Sequence, residues 1–284
     1  MISLPRLKIP GPRVPLPLIL LGAGLIALMA VLAACGDDGG DEFPKDLVGA
    51  FGVDAAVCEE GGEGEQGGPV TEGSYFRMAV QGQDPNNPDD PMESFFLNAD
   101  SPCDFSYTPF TPGSDGALTT GSHQPLVSAL DTQPDGTDAS DNFDETGGCL
   151  ADRIIQPVAF FGINFSINTG DPDNNDAQTG DPVPAPSITV DADGNLSGDI
   201  TAWGACWNKN HFNQGSPKPD GCIASGAGVQ DPNCGFTSGP TGTLDADTNE
   251  YTLEWSSLIV GGPFDGNTGF WHLEGTFEEG GGGE

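Results

Sequence analysis

Beyond its first 35 residues this chain has no long apolar pattern at helical spacing. It has short runs in which apolar and polar residues alternate, cut apart by the 43 glycines and 25 prolines of its 284 residues. A period of two is the signature of a strand with one buried face. Runs this short and this punctuated predict an all-β fold, an antiparallel β-sandwich or barrel with long irregular loops. Sixteen Phe and four Trp supply the apolar bulk for a packed core.

The runs fall in order. Tyr75–Val80 and Ser94–Leu97 are candidate strands, with a loop rich in Asp, Asn and Pro between them. Pro157–Ile167 reads as one strand, with Ala159, Phe161, Ile163, Phe165 and Ile167 on a single face. Two hairpins look alike. Ser187–Val190 and Leu196–Trp207 flank a turn at Asp191–Asn195, and Gly242–Leu244 and Tyr251–Val260 flank a turn at Asp245–Asn249. Asp, Asn and Gly at those turns accept backbone hydrogen bonds and tolerate left-handed conformations. The last strand, Phe270–Phe277, puts Trp271, Leu273 and Phe277 on one face. Residues 100–152 read as mostly irregular.

The N-terminus has a different chemistry. Arg6, Lys8 and Arg13 precede an uncharged, largely aliphatic run from Leu16 to Leu32, and Ala33-Ala34-Cys35 closes it. A basic start, an apolar middle and small residues at the end make a secretory signal. Leu32-Ala33-Ala34-Cys35 resembles the lipobox of bacterial lipoprotein precursors. The resemblance covers residues 1–35 only. It implies a signal peptide over 1–34, acyl chains on the Cys35 thiol, and a mature chain that begins there. The other reading is an uncleaved membrane span, since the run is close to the ~20 residues that a helix needs to cross a bilayer. Under both readings the basic flank leaves the rest of the chain outside the cytoplasm. Gly36 rather than Asp follows the cysteine, which leans toward the outer membrane of a bacterial cell envelope.

Cysteine parity agrees with export. Setting Cys35 aside leaves Cys58, Cys103, Cys149, Cys206, Cys222 and Cys234. An even set in an exported chain predicts three disulfides, in any of 15 pairings. Three lie before residue 150 and three after 205, so at least one bridge must join the halves. The expected organisation is therefore a flexible acidic linker over 35–72, a single disulfide-linked β domain over 73–278, and a frayed tail over 279–284. All 43 acidic residues follow Cys35, and only five of the eight basic ones do. Such a surface repels nucleic acid and anionic headgroups.

Two patterns invite a ligand. Asp171, Asp173, Asn175 and Asp176 set oxygen atoms at alternate positions of a long loop, as in the first half of a calcium loop. The pattern recurs at Asp191/Asp193/Asn195 and Asp245/Asp247/Asn249, but no copy has the closing Glu, and two sit in hairpin turns. Trp203, Trp207, Asn208, Asn210 and His211 form the densest aromatic–amide cluster, the chemistry of a carbohydrate surface. The same tryptophans can equally be core residues of one strand. Of the three histidines, His123 sits in a loop and His272 faces solvent from the last strand. No Cys-x-x-Cys, His-Glu-x-x-His or Gly-x-Ser-x-Gly occurs, which argues against thiol redox chemistry, a zinc ribbon and the commonest hydrolase motifs.

These readings converge on a lipid-anchored, extracytoplasmic acidic β domain that binds or builds rather than catalyses. Its partners would be the membrane, through Cys35, and a carbohydrate or a divalent cation such as calcium. The alternative is a polysaccharide-acting hydrolase using paired carboxylates, which many acidic pairs permit and none singles out.

Overall fold

The computed structural model describes residues 43–62, 66–89, 91–126, 143–171, 173–226 and 228–280. The signal segment, Cys35 and the start of the acidic leader lie outside these residues. No helix among the described residues is long and apolar enough to cross a membrane.

The fold is all-β and antiparallel. Its strands are β1 (Lys45–Leu47), β2 (Gly49–Gly52), β3 (Val57–Cys58), β4 (Val70–Glu72), β5 (Tyr75–Ala79), β6 (Thr108–Pro109), β7 (Ala117–Thr119), β8 (Val158–Phe160) and β9 (Ile163–Thr169). Then follow β10 (Ser187–Val190), β11 (Asn195–Asp199), β12 (Trp203–Trp207), β13 (Asn210–Asn213), β14 (Ser238–Leu244), β15 (Glu250–Leu258) and β16 (Thr268–Glu279). The larger sheet runs β1-β10-β11-β14-β15-β16-β2-β7, and β5, with β6 beside it, also pairs with β16. The smaller sheet runs β13-β12-β9-β8, and β3–β4 is a separate ribbon.

β16 is the spine. One side pairs with β15 over nine positions, from Glu250↔Thr276 to Leu258↔Thr268. The other side is shared, by β5 near its start and β2 near its end. Period-two burial appears as expected: Tyr251, Leu253, Trp255, Trp271, Leu273 and Phe277 all face inward. Trp255 and Trp271 are direct cross-strand partners, their rings stacked at 6.0 Å. Trp203 from the smaller sheet meets both edge-on, at 5.0 and 5.5 Å. Residues from both sheets fill one continuous core around these rings. Rings of this size dominate a core because each removes a large apolar area from water.

Four sequence expectations need correction. First, the folded part starts near residue 43, not 73. Leu47, Phe51 and Val53 are buried, and β1 and β2 pair with β10 and β16. The short apolar run from Leu47 to Val57, readable inside the acidic stretch, belongs to the fold rather than to the linker. Gly49 is needed because a Cβ would come within 2.1 Å of Glu278 O on β16. Second, Ser94–Leu97 is not a strand. A short helix over Pro91–Ser94 precedes it, and only Phe95 bridges to Ala79.

Third, Pro157–Ile167 is a hairpin rather than one strand. Phe161 and Gly162 take φ of 51° and 74°, a two-residue turn that reverses the chain between β8 and β9. Phe161 is therefore 43% exposed instead of lying on the core face. Fourth, Leu196–Trp207 breaks at 200–202. Asp199 Oδ1 accepts the Thr201 N–H, Trp203 N–H donates to Ile200 O, and the chain crosses from the larger sheet to the smaller. The tail also stays ordered longer than expected, since Glu278 and Glu279 pair with β2.

Three disulfides close the structure: Cys58–Cys103, Cys149–Cys206 and Cys222–Cys234. Cys149–Cys206 joins the halves, as the spacing required. Asp231 lies beside Cys222 and Cys234, but their sulfurs are bonded to each other and offer no thiolate to a metal.

Candidate functional site

The two sheets do not close completely on each other. Between them lies an apolar cavity of about 50 Å³ with an open mouth. Phe160, Phe165 and Trp207 line it from the smaller sheet, and Phe76, Met78 and Trp271 from the larger. Phe212, Ile259 and Phe264 complete the wall. Phe264 packs on Trp207 at 5.2 Å and on the exposed Phe161 at 5.7 Å, so aromatic rings stand at the rim. The turn at Gly262–Phe264 holds Phe264 there. Gly262 has a φ of 66°, and a Cβ on it would come within 2.8 Å of the Phe212 ring. Gln214 also lines the cavity, and Gln214 Oε1 and Trp271 Nε1 are buried without a hydrogen-bond partner. Such orphaned groups are uncommon in native interiors and mark a place where a partner is missing.

The carbohydrate cluster of the sequence is dispersed. Trp203 is fully buried among the other tryptophans and presents no ring face to solvent. Trp207 lines the cavity, with its Nε1–H donated to Phe160 O at 2.8 Å. Asn208 and Lys209 have φ of 49° and 59° and form the turn between β12 and β13. Asn210 is exposed, and His211 packs against Phe143 at 5.2 Å, its pKa lowered by burial. Of the five residues, only Trp207 reaches the cavity. Phe76, Phe160 and Phe264 were missed because they come from three distant stretches with no shared motif.

The three Asp-x-Asp-x-Asn copies are turns. Asp171 Oδ1 accepts the N–H groups of Asp173 and Asn175, Asp191 Oδ1 those of Asp193 and Asn195, and Asp245 Oδ1 those of Asp247 and Thr248. The Asn195 side-chain amide, then these backbone bonds, lower the pKa of the Asp191 carboxyl, and the backbone bonds from Thr248 and Asp247 lower that of Asp245. Asp176 is directed away from that loop's other acids. Its Oδ1 accepts the N–H groups of Gln178 and Thr179, and its Oδ2 faces the Asn213 side chain.

His272 does not stand free in solvent. Nδ1 lies 2.7 Å from Glu254 Oε1, Nε2 lies 3.5 Å from Glu274 Oε2, and the ring stacks on Tyr75 at 4.7 Å. The flanking carboxylates oppose each other across the ring, an arrangement that fixes the imidazole. His123 Nε2 lies 2.9 Å from Val183 O. Asp54 is the one carboxyl with a resolved rise in pKa among the described residues, through burial and then the charges of Glu274 and Glu250.

No protein-family model, no curated protein and no solved structure matches this chain.

Proposed function

We propose that this chain is a lipid-anchored binding domain of the bacterial cell envelope, held at Cys35 outside the cytoplasm on the outer membrane, and that its ligand is a neutral molecule with an apolar end. The observation that carries the binding role is the aromatic-lined gap between the sheets. Its space of about 50 Å³ admits only a small apolar group, so the apolar end of the ligand enters while the rest stays in the open mouth. The acidic surface favours neutral or cationic molecules over anions at the approach. Three disulfides suit an oxidising compartment, and the lipobox resemblance supplies the anchor.

Two measurements test the halves separately. Metabolic labelling with palmitate should mark the wild-type chain and not Cys35→Ala; an unlabelled wild type removes the anchor. The neutral dye N-phenyl-1-naphthylamine should brighten on binding the folded domain. Ala205→Phe, which fills the cavity from β12, should weaken that binding at least tenfold, about 1.4 kcal/mol. Equal binding by both, or none by the wild type, removes the cavity as a site.

A hydrolase reading has one observation in its favour. A cleft of about 400 Å³ is lined by Asp54, Asp115 and Glu278, and Asp54 has the raised pKa that suits a general acid. Asp115 is already paired with Arg153 at 2.8 Å. Polysaccharide cleavage that disappears in Asp54→Asn would favour this reading over the binding one.

A further inference from the structure

Lys218 and Asp176 are the most deeply buried charged side chains among the described residues, and both lie against the side-chain amide of Asn213. Lys218, Asn213 and Asp176 are 4%, 3% and 4% exposed. Lys218 Nζ lies 2.9 Å from Asn213 Oδ1, and its remaining contacts are Asn213 O at 3.0 Å, Leu258 O at 2.8 Å and Ser257 Oγ at 3.2 Å. On the other side of the same amide, Asn213 Nδ2 lies 2.5 Å from Asp176 Oδ2 and 2.6 Å from Thr201 O. Gly215 N–H donates to Asn213 Oδ1 at 3.2 Å. A buried amine, amide and carboxyl thus stand side by side, with a backbone donor on the amide carbonyl.

We propose that Lys218 and Asn213 form an intramolecular isopeptide bond, with Asp176 as the proton carrier. The Lys218 Nζ lone pair attacks Asn213 Cγ, and the carbonyl electrons move onto Oδ1, where the Gly215 N–H steadies the charge. In the tetrahedral adduct Nζ and Nδ2 share Cγ, and Asp176, which already accepts from Nδ2, takes the proton that Nζ sheds and passes one to Nδ2. The Cγ–Nδ2 bond breaks and ammonia leaves. One C–N bond forms and one breaks, nothing is oxidised or reduced, and no co-reactant is needed. Nucleophile and amide are held in van der Waals reach by the fold, so the step is intramolecular.

The surroundings suit each part. Burial pushes the Lys218 amine down to about 7, against the opposing pull of Asp176 and Asp220, so a neutral nucleophile is available near neutral pH. Trp255 Nε1–H donates to Gln214 O, and Ser257 Oγ–H donates to Gly215 O, which pins the loop that carries both reacting residues. A cleft of about 280 Å³, lined by Asp176, Thr201 and Asp220 among others, runs from the Asp176 side and gives ammonia a way out.

The test is peptide mapping of the purified full-length chain after reduction, alkylation and pepsin digestion. The peptide holding both residues should weigh about 17 Da less than its sequence, the mass of ammonia, and should give no backbone fragments between Asn213 and Lys218. The loss should vanish in Lys218→Arg and fall at least tenfold in Asp176→Asn. A wild-type peptide at full mass, with free amide and free amine, overturns the proposal and leaves Lys218 as a buried ammonium. So does a loss that persists in Lys218→Arg or that mild alkali converts to a net gain of about 1 Da, the behaviour of a succinimide at Asn213. The wild-type spectrum decides the matter even if neither variant folds.

Discussion

Tyr251 on β15 is enclosed, and its side chain reaches across β16 to β2, where its hydroxyl donates to Gly52 O at 2.8 Å. Burial raises its pKa, and the nearby Asp54 and Glu274 charges raise it further. The phenol therefore stays neutral in the fold at pH values where the unfolded chain ionises. The stability tied to this group is intact below about pH 10 and is lost as pH rises above it. Tyr251→Phe should cost about 1 kcal/mol at neutral pH, for the lost hydrogen bond, and should soften the alkaline fall. Urea denaturation at pH 7, 9 and 10.5 checks this; parallel losses in variant and wild type would refute it. At this scale the sequence is most readable where a residue acts on its neighbours. The Asp191 and Asp245 turns were visible because donors and acceptor lie within four positions. The setting of His272 was not, because Glu254, Glu274 and Tyr75 reach it from β15, β16 and β5.

Strands were legible where alternation is clean and the chain runs straight, as in β15 and β16. They were misjudged where a turn hides inside an apolar run. Phe161-Gly162 lacks the Asn or Asp that announces a two-residue hairpin, and the break after Asp199 depends on a side-chain cap that periodicity cannot reveal. The β12–β13 turn carries a comparable irregularity, since Lys209 is an exposed non-glycine residue at a φ of 59°. An L-residue in that region costs about 1–2 kcal/mol. Lys209→Gly should relieve part of it, offset by a looser unfolded chain, for a net gain of about 0.5–1 kcal/mol in thermal denaturation. A fall in stability would mean that the Lys209 side chain supports the neighbouring Gly147 segment more than the backbone resists it.

For the whole molecule, the bridge between halves can be given a size. Cys149 and Cys206 are 57 positions apart, and closing a loop of that length restrains the unfolded chain by about 4 kcal/mol. Replacing both by Ser should cost roughly that much, a large share of the 5–15 kcal/mol typical of a domain. A loss under about 1 kcal/mol would show that the two sheets hold together without it. The cavity was not readable in advance for the same reason that the core was only partly so. Its walls belong to seven separated segments, and only the packing of one sheet on the other brings them together.

Phe51 pairs with Phe277, so one edge of β2 finds its partner only in β16, the last strand of the fold. Its other edge takes β7, made far sooner, but the β16 edge must wait while everything between is made. Contacts this distant in sequence are entropically slow to form. A nascent chain halted before Thr268 would lack the strand that joins β15, β5 and β2, and should remain open to protease throughout that pause.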